Sequence, residues 1–543
     1  MNGSTTVTYD LEAGMEWRFE LEQGEAIAVR VTSEEPIYIN YQEIPPNTWY
    51  PLYGDLRAAI WSPSPGQIEV SSAPSTAYTS LSSTFPFILS VHLALERRRI
   101  LAKRSINARL DYGQDDQNEK VLLEQERGPR VMVLGPANSG KSTMIKGLLN
   151  LAVGSGMGWS PGVIGLDPGT SNHLVPGSVS LSSPTQAVPT HHPSHPLGSP
   201  PTTAAAMTLA SDVPTLGWFV GSSEMNTSGM GKMCFPLWRN VVDIMAASWR
   251  SRCQTDEIVR TSGLLIDTPT ALIQPTLGAG KGDKTRHGLV LQIAAAFEVD
   301  VVIVIGHEKL TIEMQKLLSG YGVSVISAPK SSGVVDLDDL YRSRIRAQQI
   351  KTYFYGEPAL PPTLINLPGR VAAVETGLHP YSFTIPWDEL EIYRVGEESA
   401  APSSALPIGK QRILSATRLT RVNPAASPNI HRLQNAILGL VIVSDEDKRT
   451  DLPPRKVKEV KKEETKQEGD VKEGVKAEEG DEEEEEEEPI WKEEIGWREV
   501  CGFLTITKVD TAKRKFELLT PSPGKLPSRV ALVGSVEWIE VDD

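Results

Sequence analysis

Cysteine is scarce in this chain: three in 543 residues, at Cys234, Cys253 and Cys501. Three scattered thiols build no disulfide framework, which excludes the small stapled folds and points to a reducing compartment. No run of about 18 uncharged apolar residues is present, so no membrane-spanning helix and no membrane partner are expected. The opening stretch MNGSTTVTYDLEAG lacks the basic start and apolar core of a secretory signal. An excess of positive charge is missing as well, the net charge being −15. That sum is dominated by residues 445–488, which hold 20 acids against 10 bases and leave only −5 for the rest of the chain. A local basic groove is therefore allowed.

What is present is ordinary globular composition, 40% apolar with 6% aromatic, in a chain too long for one core. Residues 1–84 read as short alternating strands, EWRFELE, AIAVRV, IYINY and AAIW, broken by Pro- and Gly-rich turns, hence a small β domain. A connecting helix and linker follow over 85–127. The helix carries Arg97, Arg98, Arg99, Lys103 and Arg104, and its basic face is expected outward, either solvated or against RNA phosphates. Over 128–357, β-branched runs (VMVL, GVIGLD, GLLID, VDVVIVIG, VSVISA) alternate with helical patterns, which predicts an α/β domain with a parallel sheet covered on both faces. A Pro/Ser/Thr/His-rich stretch near 180–206 reads as a disordered insertion. Its His191, His192 and His195 lack a nearby cysteine or fourth ligand for a metal site. Residues 358–543 return to β-type runs and form a smaller, β-rich α/β domain, interrupted by the acidic stretch of about 445–490. The segment PPRKVKEVKK inside that stretch has the composition of a nuclear import signal.

The chemistry is concentrated in VMVLGPANSGKST, a G-x-x-x-x-G-K-[ST] loop set between a buried strand and a helix. Gly135 and Gly140 let successive amides face phosphate oxygens, Lys141 reaches the β and γ oxygens, and the Ser142 hydroxyl suits Mg²⁺. Asn138, Ser139 and Thr143 complete the expected nucleotide contacts. Such a site also needs a carboxylate for the metal or for a proton. Asp167 and Asp267 each end a strand at the sheet's carboxyl edge, and both also suit a plain strand-end turn. The only [NT]-K-x-D match that would read guanine is Thr507-Lys508-Val509-Asp510, which falls in an alternating strand of the third region. ATP is therefore the expected nucleotide, with Mg²⁺.

Four stretches, GPRVMVLGPANSGKST, GLDPGTSNHLVPGSVS, AAAFEVDVVIVIGHEKL and APKSSGVVDLDDLYRSRIRAQQIKTYFYG, closely resemble the ATP-binding subunit of the pre-mRNA cleavage and polyadenylation factor, a component of cleavage factor IA. Animal members of that family are polynucleotide 5′-hydroxyl kinases. The resemblance implies an N-terminal β-sandwich, a P-loop domain and a C-terminal α/β domain. It implies that Glu16 and Arg57 of the N-terminal domain contact the adenosine, and that Asp167 is the catalytic aspartate and, with Ser142, the Mg²⁺ pair. Arg342 and Arg346 match the arginine lid over the transferred phosphoryl. It also implies a nuclear location, a scaffold subunit of the same factor that binds the RNA polymerase II tail as partner, further cleavage and polyadenylation subunits, and RNA as a possible ligand.

Three departures from the active kinases bear on activity. Pro168-Gly169-Thr170-Ser171 follows Asp167 without the family's glutamine. The turn that carries a base-stacking tryptophan reads Thr268-Pro269-Thr270-Ala271, and Ser343, Gln349 and Lys351 replace lid arginines. Base stacking is worth about 1–3 kcal/mol, and an arginine finger about 10³–10⁵ in rate. The expectation is a fungal-type, non-catalytic, ATP-holding scaffold in 3′-end processing; the alternative is an active 5′-hydroxyl kinase.

Overall fold

The computed structural model describes residues 6–112, 126–170, 174–192, 215–225, 235–276, 286–356, 358–372, 379–395, 399–400, 413–414, 417–449, 455–457, 486–488, 490–521 and 524–539. The N-terminal strands β1 (Val7–Leu11), β2 (Glu16–Glu20), β3 (Ala26–Val31), β4 (Tyr38–Ile39), β5 (Gln42–Glu43), β6 (Tyr50–Tyr53), β7 (Arg57–Trp61), β8 (Gly66–Val70) and β9 (Thr76–Ser80) form two sheets. Their orders are β1-β8-β3-β6 and β5-β4-β7-β2-β9. Trp17, Phe19, Ile27, Val29, Leu52, Ile60 and Ile68 fill the space between them. This is the β-sandwich that the family resemblance implies.

Helix α1 (Phe85–Tyr112) leads from the sandwich onto the central domain, where Ile88, Val91 and Leu95 are buried against the sheet and its covering helix. Its basic face is less open than the sequence suggests. Arg99 is fully buried, its Nε donating to the Ser262 carbonyl at 2.9 Å, Arg98 pairs with Asp300 at 3.2 Å, and the Lys103 ammonium sits 5.1 Å from the Trp159 ring centre. Only Arg97 and Arg104 of the five stay exposed without such partners among the described residues.

The central sheet joins β10 (Arg130–Leu134), β11 (Gly162–Gly165), β12 (Ser178–Ser182), β13 (Leu216–Phe219), β14 (Leu264–Asp267), β15 (Val301–Ile305) and β16 (Ser324–Ala328) in the order β16-β15-β10-β14-β11-β12-β13. The five strands read from the sequence are parallel neighbours; β10, β11, β14 and β15 are buried on both faces as their β-branched composition requires, while β16 at the sheet edge is partly exposed. The sheet as a whole is mixed, because β12 and β13 add antiparallel to β11. An eighth strand, Glu499–Val500, pairs antiparallel with β13 from the far end of the chain. Helices α2 (Lys141–Gly154), α3 (Phe235–Thr255), α4 (Glu257–Ser262), α5 (Gly288–Ala296), α6 (Glu308–Leu318) and α7 (Asp339–Tyr355) cover and flank this sheet.

The first part of the His/Pro-rich stretch departs from its expectation, and residues 193–206 lie outside the described residues. Residues 183–192 follow β12 as an irregular but packed segment lying between α2 and the sandwich. The Asn150 carboxamide oxygen accepts from the Val188 amide at 2.7 Å, the buried Lys146 ammonium donates to the Pro189 carbonyl at 2.8 Å, and the Tyr53 amide donates to the His191 carbonyl at 3.0 Å. Composition favours disorder, but these backbone groups find partners on two domains and the segment is ordered there. His191 and His192 lie against the Tyr53 ring. Among the described residues no group of His, Cys, Asp and Glu suits a metal ion, and His195 lies outside them.

The C-terminal domain is a seven-stranded sheet containing Tyr381–Pro386, Glu391–Arg394, Ala436–Val441, Gly502–Asp510, Lys515–Thr520 and Val530–Glu537. Thr507 to Asp510 lie in one of these antiparallel strands, with the Thr507 hydroxyl donating to the Glu517 carbonyl. Within the acidic stretch, Arg455–Val457 and Glu486–Glu488 pair as a two-stranded ribbon, and the acids of 458–485 lie outside the described residues.

Candidate functional site

Strand β10 ends at Leu134 and the chain turns through Gly135-Pro136-Ala137-Asn138-Ser139-Gly140 into α2. A Cβ on Gly135 would stand 2.7 Å from the Ser139 hydroxyl and 3.3 Å from the Ile305 carbonyl, so the turn requires glycine. Gly140 takes φ +88° and Asn138 φ +50°, the left-handed conformations that curl a phosphate-binding loop. The Ser139 hydroxyl is buried without a partner among the described residues. Lys141 lies folded back on its own loop, its ammonium donating to the Gly135 and Pro136 carbonyls at 3.1 and 3.0 Å and to the Thr270 hydroxyl at 3.1 Å. Burial lowers the Lys141 pKa, while Asp267 and Asp167 act to hold its charge.

The carboxylate beside Ser142 is Asp267. The Ser142 hydroxyl donates to Asp267 Oδ2 at 2.6 Å, whereas Asp167 Oδ1 accepts from the Gly169 amide at 2.9 Å and closes the strand-end turn. Of the two strand-end aspartates, Asp267 is the one hydrogen-bonded to Ser142, because β14 lies next to β10 while β11 lies one strand further out. Asp267 is 1% exposed and its Oδ1 has no partner among the described residues. Burial pushes its carboxyl up to about 6, against the Ser142 hydrogen bond and the Lys141 charge, with Asp167 adding to the rise. An orphaned carboxylate oxygen, a serine hydroxyl and a second carboxylate nearby form an all-oxygen donor set suited to Mg²⁺.

Facing the loop, a cavity of about 310 Å³ opens between the central domain and the sandwich. Glu16 and Arg57, singled out from the sequence, both line it. Glu16 is buried, ion-paired with Arg18 at 2.7 Å and accepting from the Ser83 hydroxyl. Arg57 pairs with Glu20 at 3.1 Å and lays its guanidinium 4.5 Å from the Tyr341 ring centre. An aromatic wall that the sequence did not disclose completes the cavity: Trp61 stacks on Phe85 at 3.8 Å and 9°, and Tyr41 on Phe85 at 4.6 Å. A Cβ on Gly147 would meet the Tyr41 ring at 2.6 Å, so the sandwich rests directly on α2. The only hint of this wall in the sequence is the aromatic content of IYINY and AAIW. Charged sandwich side chains and aromatic rings therefore face a phosphate-binding loop across one space, suited to a nucleotide with its base toward the rings.

The expected lid arginines behave differently from each other. Arg342 Nη2 donates to the Asn138 carboxamide at 2.5 Å and its Nε to the Leu337 carbonyl, which fixes it against the loop. Arg346 has no hydrogen bond or ion pair among the described residues. Tyr341 and Arg344, missed from the sequence, hold the start of α7 on the sandwich. The Tyr341 hydroxyl donates to the Asp55 carbonyl at 2.8 Å, and Arg344 lies 3.5 Å from the Asp55 carboxylate. Ala271 follows Thr270 in a short 3-10 turn beside the loop, with no ring to offer a base.

Three family models match the chain: the P-loop domain of mRNA cleavage and polyadenylation factor CLP1 over 135–356, pre-mRNA cleavage complex II protein Clp1 over 378–540, and the N-terminal β-sandwich domain of polyadenylation factor over 10–102. The mRNA cleavage and polyadenylation factor CLP1 of Cryptococcus neoformans is 45% identical across 98% of this chain and 97% of its own length. That of Laccaria bicolor is 31% identical across 98% of both. A zebrafish relative, polyribonucleotide 5′-hydroxyl-kinase Clp1, is 26% identical across 99% of this chain and 95% of its own. Among solved structures, a Clp1p–Pcf11p complex matches with a TM-score of 0.67 at 18% identity, covering 99% of both chains. A second, described as an extended interface between Pcf11p and Clp1p and the structural basis for ATP loss in a glycine-to-arginine point mutant, matches at 0.68 and 18%, covering 99% of this chain and 100% of its own. With its sandwich, nucleotide-binding P-loop domain and C-terminal domain all matched, the chain belongs to the CLP1 family of mRNA cleavage and polyadenylation factors.

Proposed function

We propose that this chain holds ATP with Mg²⁺ between its sandwich and P-loop domains and serves as a non-catalytic scaffold in nuclear pre-mRNA 3′-end processing. Its partner in this reading is the scaffold subunit that binds the RNA polymerase II tail, a proposal supported by the Clp1p–Pcf11p complexes that share its fold. Ser142 and Asp267 would hold the metal, directly or through its water, and the metal would neutralise phosphate charge. The Tyr41–Phe85–Trp61 wall would take the base. Bound ATP stabilises whatever closed arrangement it prefers, by about 2.7 kcal/mol at 100 times its Kd.

The observation that carries the scaffold reading is the stretch Thr268-Pro269-Thr270-Ala271. At this turn Ala271 leaves an accepting base no ring to stack on, and Thr270 instead holds Lys141. The thinned lid supports it: Arg342 is bound to Asn138, and Gln349 is buried in α7. One observation favours an active kinase, namely that Asp167, Asp267, Lys141 and Arg342 interact within one site. In that case Asp167 would take the proton of an RNA 5′-hydroxyl while Lys141 and the arginines neutralise the γ-phosphate. Incubation with γ-labelled ATP and a 5′-hydroxyl oligoribonucleotide separates the two. The scaffold reading expects ATP to be recovered intact from the purified protein and no labelled RNA end; label transfer abolished by Asp167→Ala would overturn it.

A further inference from the structure

A second depression, of about 610 Å³, lies between α3 of the central domain and residues 494–499 of the C-terminal domain. Asp243 and Ile244 of α3 form one wall, and Glu494, Trp497 and Glu499 the other, with Trp218 of β13 also lining it. Trp218 is fully buried and its indole N–H has no acceptor among the described residues. Glu499 stands opposite Trp218 in the strand pairing. Although Glu499 is exposed as a residue, loss of water around its carboxyl raises its pKa. Asp243 accepts from the Gln292 carboxamide at 3.0 Å, a neutral partner. The lining cation, Arg498, is hydrogen-bonded by Asp447 at 2.5 and 2.6 Å and also feels the Glu494 charge, whereas Asp243 and Glu499 carry no ion pair among the described residues. Trp497 is half-buried and offers part of its ring to the space.

We infer that this groove receives an arginine side chain from a partner protein segment. Three carboxylates at the rim match a guanidinium, whose five donors in one plane can be shared among several oxygens. The same plane stacks on an indole, as the compact lysine ammonium does not. The orphaned Trp218 N–H supplies a donor for a backbone carbonyl of the same segment. Nucleic acid is disfavoured, since its phosphates would face uncompensated acids. A metal ion is disfavoured because these carboxylates form no ligand group among the described residues. The groove shares no residue with the nucleotide site, so its occupancy stands or falls apart from the ATP reading.

The test is a titration of the full-length protein, labelled with ¹⁵N-tryptophan, with N-acetyl-arginine amide and, in parallel, with its neutral isostere N-acetyl-citrulline amide. Comparison with Trp218→Phe and Trp497→Phe identifies the two indole signals. Both signals are expected to shift saturably with the arginine compound only, with at least fivefold weaker binding in Asp243→Asn/Glu499→Gln and in the exposed single variant Glu494→Gln. An unchanged circular-dichroism spectrum and melting temperature verify that each variant is folded. Equal shifts with both compounds, no shift, or unchanged binding in Glu494→Gln would overturn the inference. So would movement of the same signals with a single-stranded oligonucleotide or on self-association.

Discussion

Asp267 is buried at the carboxyl end of β14, hydrogen-bonded to Ser142 on one oxygen and, among the described residues, unpartnered on the other. Its carboxyl titrates near 6 in the fold against an ordinary 3.8, so the fold favours the neutral form. Its contribution to stability is full below about pH 4 and is lost as pH rises through 6, a difference of about 3 kcal/mol from a shift of roughly two units. Asp267→Asn, which keeps an acceptor for Ser142, is therefore expected to raise the melting temperature of the nucleotide-free protein at pH 7.5 and to raise it roughly half as much at pH 5. Mg·ATP should reverse the order at pH 7.5, because the carboxylate form suits the metal. Differential scanning calorimetry at both pH values, with and without Mg·ATP, checks this; a gap independent of pH would refute the assignment. Part of this site is legible in the sequence. Gly135, Gly140, Lys141 and Ser142 announce themselves by spacing because each does one job in a local turn. The choice between Asp167 and Asp267 does not, because both end strands and only the order β10-β14-β11 decides which lies beside the loop.

At the scale of elements, α7 is the helix to which the site owes most of its closure. Its first turns meet the sandwich through Tyr341 and Arg344 and the loop through Arg342, while Ile350, Tyr353 and Phe354 are buried in the core shared with the C-terminal domain. The Phe503 amide donates to the Tyr353 hydroxyl at 3.0 Å, tying the far end to the C-terminal sheet. Tyr341→Phe combined with Arg344→Ala removes one neutral hydrogen bond and one partly exposed ion pair, each worth about 1 kcal/mol or less. ATP affinity, measured by isothermal titration, is expected to fall about 3- to 30-fold with the melting temperature of the nucleotide-free central domain little changed. Unaltered affinity would mean that the sandwich does not close over the nucleotide through α7. In the sequence, YRSRIRAQQIKTYFY stands out by its resemblance to an arginine lid rather than as a helix; Asp338 caps the helix, its carboxylate accepting from the Tyr341 amide at 2.7 Å. Its three-way contacts are not evident, since the same residues would suit a surface helix. Strands β12 and β13 escape for a related reason: serine- and glycine-rich runs such as SVSLS and LGWF lack the β-branched density that marks the parallel strands.

Across the whole molecule, domains that are separate in sequence complete each other. The sandwich supplies the aromatic wall of the nucleotide cavity, residues 183–192 lie between sandwich and α2, and Glu499–Val500 finishes the central sheet. Gly534 approaches Gly221 so closely that a Cβ on it would meet the Gly221 carbonyl oxygen at 1.9 Å, a junction only glycine permits. A chain ending at residue 377 would uncover the β13 edge and the apolar end of α7. Exposed strand edges beside apolar surface promote association. Such a truncation is expected to elute from size exclusion as aggregate, whereas the full chain with ATP gives one defined species; a monodisperse, ATP-binding fragment would show the central domain to be self-sufficient. The distance in sequence between β13 and Glu499–Val500, about 280 residues, also sets a timetable for synthesis. At roughly 5–20 residues per second the ribosome delivers the last strand about 14–56 s after β13 has been made. Throughout that interval the nascent chain carries an open sheet border that it cannot close by itself, and that interval is when a ribosome-associated chaperone has its opportunity to act.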